Sequence, residues 1–160
     1  VIAPGTKKDN AAMVTLSGQP EVSVNVTYSA DTFSLTGKWE GDENGTFYCP
    51  SIIKVTGKVG DTVTTETINC AKKNSAADIQ TAVQNAVAAC SATYAPNTDL
   101  STAAVAGEGL KISWEWPFEG TANPGQTDAK DTYLGNQAAA GGLNVPAIHI
   151  PVTATVTQID

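Results

Sequence analysis

The sequence predicts a mainly β fold, a β-sandwich or jelly roll carrying one inserted amphipathic helix at about residues 75–94. Three observations carry that expectation. Short apolar runs alternate with a period of two along much of the chain, the pattern of strands with one buried and one solvated face. Turn signals rich in Gly, Pro and Asn separate these runs. The period lengthens to three and four only after Asn74-Ser75.

Residues 1–10 read as an extended, turn-rich lead-in around Pro4-Gly5. Met13-Val14-Thr15-Leu16-Ser17 opens the first ordered strand, and Gly18-Gln19-Pro20 is a turn. Next, Val22, Val24, Val26 and Tyr28 face one way while Ser23, Asn25, Thr27 and Ser29 face the other. Phe33 and Leu35 continue on shifted parity, so a bend is expected near Ala30-Asp31. Asn44-Gly45, between Trp39 and Phe47-Tyr48-Cys49, is a hairpin signal. Ile52 to Val55 and Val63 to Ile68 are strands about a turn at Gly57 to Asp61.

Ser75 with Asp78 three residues on forms a capping box. Ile79, Val83, Ala86, Val87, Cys90 and Tyr94 then recur at helical spacing, predicting one helix from Ala76 to Thr93, with Pro96 beyond it. Residues 97–109 read as a loop, and Leu110 to Trp116 as a strand ended by Pro117. Residues 120–130 read as a surface loop and 137–144 as a small-residue connection. The closing strand places Ile148, Ile150, Val152, Ala154 and Val156 on one parity and His149, Thr153, Thr155 and Thr157 on the other. Pro151 has no backbone donor, so this strand is expected at a sheet edge or with a local irregularity. No repeat or linker divides the chain, so residues 1–160 are expected to form a single domain.

Charge excludes whole classes of partner. All nine basic residues are Lys, and sixteen carboxylates leave a net charge of −7. That balance repels nucleic acid and anionic lipid, and the lack of Arg removes the best bidentate phosphate ligand. No apolar run approaches the roughly 18–20 residues of a membrane span. The chain begins at Val1 without a Met and is read as processed, trimmed or partial.

Catalytic chemistry finds little to work with. His149 is the only histidine and lies mid-strand, so neither a nucleophile–base pair nor a zinc hydrolase site of three ligands and a base is expected. We expect no enzyme activity and no cofactor. Glu119, Asp128 and Asp131 are the candidates for a calcium site, against the preferred reading of a solvated acidic loop. Trp114 and Trp116 share a strand face and read as core in preference to a sugar-stacking platform. Asn25 and Asn44 stand in Asn-x-Thr sequons. Three cysteines in an extracellular protein imply one disulfide and one leftover thiol. The expected pair is Cys70–Cys90, across the helical region, leaving Cys49 as the odd thiol, with a small buried hydrophobe as the alternative reading of Cys49.

A wider pattern joins several of these pieces. Ser113-Trp114-Glu115-Trp116-Pro117-Phe118-Glu119, Asp131-Thr132-Tyr133-Leu134-Gly135-Asn136 and the closing Val152 to Asp160 occur in that order. They follow Ile2-Ala3-Pro4-Gly5-Thr6, Ser17-Gly18-Gln19-Pro20-Glu21-Val22-Ser23-Val24 and Phe47-Tyr48-Cys49-Pro50. Together they resemble the TasA/camelysin-like secreted proteins exported with alternate, SipW-type signal peptides. The resemblance implies a jelly-roll-like β-sandwich that polymerises into matrix fibres or pili outside a Gram-positive bacterium or an archaeon. The expected partners are copies of the chain itself, with other matrix or pilus components. Strand addition between subunits is the expected mechanism, with Val1, Ile2, Ala3 and Pro4 on the donor side. The acceptor is expected in Val22–Tyr28 or in Ile148–Val156, where Ile148, Ile150 and Val152 are contact candidates. An adhesin or carbohydrate-binding module is the alternative. A camelysin-type metalloendopeptidase ranks third.

Overall fold

β-branched, alternating segments become strands that bury one parity against a shared core. The computed structural model describes residues 3–103, 108–118 and 125–159. Its main sheet contains β1 (Lys7–Thr15), β2 (Val24–Ser29), β4 (Ile52–Val59), β5 (Thr62–Asn69), β6 (Ser91–Tyr94), β7 (Glu108–Glu115) and β9 (Thr153–Gln158). The path runs β1-β7-β4-β6-β2-β9, with β5 paired to β4 off that path. Two antiparallel units are visible in it. β1, β7, β4 and β5 form one, and β6, β2 and β9 form the other. They meet at a single parallel bridge, Val59 with Ser91, beside which the Gly60 N–H donates to Ser91 O at 2.8 Å. The sheet therefore curls, and its two units face a common core, as expected of a mainly β sandwich.

β3 (Ser34–Thr36) and β8 (Ala147–His149) make a separate two-stranded sheet. Between β5 and β6 lies α1 (Ala76–Ala89), which buries Ile79, Val83 and Val87 on one stripe. Ser75 caps it by accepting from Asp78 N at 3.1 Å, as the capping box predicts. Val24, Val26 and Tyr28 of β2 are buried, and Asn25, Thr27 and Ser29 are half-exposed. The chain turns at Ala30 to Phe33, where the Phe33 N–H donates to Ala30 O, and Asn44-Gly45 forms the tip of a short hairpin closed by Glu40 and Phe47.

Several expectations are corrected. The helix stops at Ala89 rather than near Thr93, and Ser91–Tyr94 instead pair with β2 as β6. Cys90, Ala92 and Tyr94 are all buried, and that set satisfies a period of two as well as the i, i+4 spacing that suggested helix. Second, Asp128–Ala140 is a helix, α3, capped by Thr127 and ended at Gly141, where loop and connection were expected. Its buried positions are Asp131 and Leu134, so a carboxylate occupies the inward stripe and conceals the helical period. Third, the closing segment is not one strand. It breaks at Ile150 to Val152, around Pro151, leaving β8 and β9 in different sheets. A short helix, α2 (Leu100–Ala103), also falls within the expected loop.

Candidate functional site

A groove of about 530 Å³ opens between β1, β7, α3 and the segment entering β8, and Trp39, Trp114, Trp116, Leu134, Ile148 and Ile150 line it. Trp116 is buried; Trp39 and Trp114 are half-buried. The core reading thus holds for Trp116, while Trp39 and Trp114 offer ring surface to the groove.

Beneath it lies a buried polar cluster. Tyr48 OH donates to Asp131 Oδ1 at 2.5 Å, and Trp116 Nε1 donates to the same oxygen at 3.2 Å. Gln126 Nε2 donates to Asp131 Oδ2 at 2.7 Å and to Pro117 O at 2.6 Å. A buried carboxylate is tolerable because donors surround it, in keeping with the cost of burying an unmatched charge. Burial first, then the bond to Asp131 and the Asp131 charge, push the Tyr48 phenol well above its ordinary value, so it stays a donor.

The three acidic candidates do not form the solvated loop that was the preferred reading, since Asp128 and Asp131 lie on α3 and Asp131 is buried. Asp131 points inward to N–H and O–H donors, Asp128 is exposed in the first turn of α3, and Glu119 lies outside the described residues. Among the described residues no cluster of three or more His, Cys, Asp or Glu side chains is able to hold a metal. His149 is exposed on β8 with Nε2 3.3 Å from Thr36 Oγ1.

Cys70 and Cys90 are not bonded to one another; all three cysteines are free thiols and all are buried. Cys70 instead neighbours Cys49: hydrogen bonding to that thiol, then burial, then any charge on Cys49, hold the Cys70 thiol far above its usual range. Cys90 lies elsewhere, donating to Ala86 O at 3.5 Å. Asn44 is exposed at the hairpin tip, whereas Asn25 is half-buried in β2 and accepts from Thr93 Oγ1 at 3.4 Å.

The subunit-contact candidates separate. Val1 and Ile2 lie outside the described residues. Ala3 is exposed and Pro4 half-buried, next to the turn at Gly5 (φ +87°), where an added Cβ would fall 2.6 Å from the Phe118 ring. The lead-in is tied to the end of β7, with Gly5 N–H donating to Trp116 O and Trp116 N–H to Thr6 O, both at 2.7 Å. Ile148 and Ile150 line the groove, and Val152 packs half-buried against the main core. The Val22–Tyr28 acceptor is corrected: β2 is hydrogen-bonded on both sides, by β6 and by β9, and has no edge to offer.

Among the described residues the main sheet has edges at β1, β5 and β9. β1 slips register between Lys8 and Ala12 and carries Lys7, Lys8 and Asp9, devices that discourage further pairing. β9 has none over Thr153-Ala154-Thr155-Val156-Thr157: no charge, no Pro, no register shift, and every side chain exposed. An open edge of this kind is the feature sequence reading came nearest to in Ile148–Val156 without separating its two halves. The arrangement defines the class, a mainly β domain with an aromatic groove and, among the described residues, an exposed edge strand, β9, that carries no charge over Thr153–Thr157. No family model, curated protein or solved structure matches the chain. Among the described residues no helix is long and apolar enough to cross a membrane.

Proposed function

We propose that the protein is a structural subunit of an extracellular fibre or pilus of the biofilm-matrix type, secreted and polymerising by β-strand addition between copies. One observation carries this reading: the uncharged outer edge of β9 over Thr153–Thr157, which no described strand pairs, at the opposite end of the sheet path from β1. Folded monomers normally blunt such an edge, because its unpaired N–H and C=O groups template another strand. The donor edge is that of the lead-in Val1–Pro4, ahead of the protected edge of β1, and it lies along β9 of the next copy. Because the two edges differ, the contact does not close on itself and propagates a filament. The resemblance to the TasA/camelysin-like proteins points the same way.

Electron microscopy of the native protein tests the reading, with filaments expected. The double variant Thr155→Lys/Thr157→Lys puts two like charges on the edge and is expected to leave a folded monomer that does not elongate. Deleting residues 1–4 is expected to do the same from the donor side. Filaments of normal morphology from the Lys variant would defeat the β9 assignment.

A second reading, a carbohydrate-binding or adhesin module, draws support from Trp39 and Trp114 lining the groove. It predicts quenching of Trp fluorescence by soluble oligosaccharides in a protein that stays monomeric.

A further inference from the structure

We propose that Cys49 and Cys70 are the two halves of a structural disulfide that locks the base of the β4–β5 hairpin, leaving Cys90 as a thiol. Both thiols are fully buried in one core cluster, and each perturbs the other's ionisation in the reduced form that the structure holds. Backbone pairing brings them there. The β4–β5 ladder ends at Ile52 opposite Asn69, and Cys70 N–H then donates to Ser51 O at 3.0 Å. Cys49 lies two residues before Ser51 and Cys70 directly follows Asn69, so the pair closes the open end of the hairpin.

Cys90 is excluded by its surroundings. Its sulfur faces Gly57, where an added Cβ would sit 2.8 Å away, and it bonds to Ala86 O. The sequence supplies three thiols and no hint of this partition, since the hairpin between Cys49 and Cys70 has to form before they meet.

The step is a two-electron oxidation. A thiolate of one cysteine attacks the disulfide of an oxidant, either a dithiol–disulfide oxidoreductase or a small-molecule disulfide, and displaces one of its sulfurs. The second cysteine's thiolate then attacks the mixed disulfide, forming the Cys49–Cys70 bond. Two protons leave the chain, and the oxidant departs as two thiols. Cys49 and Cys70 are both fully buried, so oxidation precedes closure of the core. The cross-link joins positions 21 residues apart and restrains β5, an edge strand exposed over Thr62–Thr67.

The test uses the full chain refolded with glutathione disulfide. Thiol titration in denaturant is expected to find one free thiol, with the mass lower by two hydrogens and a non-reduced peptide map joining Cys49 to Cys70. Cys90→Ser is expected to show no free thiol and the same linkage. Reduction is expected to lower Tm by roughly 5–10 °C. Three free thiols after refolding, or a linkage that includes Cys90, would overturn the assignment. The wild-type and Cys90→Ser measurements decide it even where Cys49→Ser or Cys70→Ser does not fold.

Discussion

β2 and β9 are hydrogen-bonded neighbours with the same kind of sequence, and they live in different environments. Val26 pairs directly with Val156, so both side chains stand on one face of the sheet. Val26 is fully buried; Val156 is 56% exposed. One strand farther out, the opposing layer no longer covers the face. Alternation therefore reports that a strand has an apolar face, but says nothing about whether anything covers it. At β9 no described residue of the chain covers that face, and it is there that the proposed second copy would dock.

The largest expected effect separates these two valines. Val26→Ala removes two buried methyl groups and leaves a cavity, and is expected to cost about 2–3 kcal/mol in urea unfolding. Val156→Ala is expected to stay within about 0.5 kcal/mol for the isolated monomer, while weakening assembly. Equal losses in monomer stability would mean that β9 is covered after all. Next comes the sealed polar cluster. Tyr48→Phe deprives Asp131 of a buried donor and is expected to cost about 1–3 kcal/mol, read by the same denaturation.

Tyr48 also makes the sealed side sensitive to alkali. Its folded-state pKa lies above the unfolded value of 10.0, so its contribution is complete below that value and is lost as pH rises from there toward the higher folded value. The wild-type stability curve is expected to decline above pH 10, more steeply than that of Tyr48→Phe. A cap substitution, Ser75→Ala, is expected to cost about 1 kcal/mol, with no effect on filament growth. The smallest effect is on association. At a net charge of −7 like subunits repel, so added salt is expected to speed elongation modestly, as followed by light scattering.

What was legible in the chain was local. The alternation of Val24, Val26 and Tyr28, the Ser75 cap and the Asn44-Gly45 turn need only neighbouring residues, and each stands where expected. α3 escaped because Asp131 occupies its inward stripe, a choice that makes sense only beside Tyr48, Trp116 and Gln126. The end of α1 escaped because Cys90 and Tyr94 suit either period, and pairing with β2 decided between them.

The sequence by itself determined the strand character of β2, β4, β5 and β7 and where the long helix begins, since these depend on side-chain type and short spacing. Tertiary structure alone decided that β2 is interior and β9 an edge, that Asp131 is enclosed by donors, and that Cys70 meets Cys49 in place of Cys90. The reason is distance along the chain. Edges, buried partners and thiol pairs join residues tens of positions apart, and no local period encodes which of them will touch.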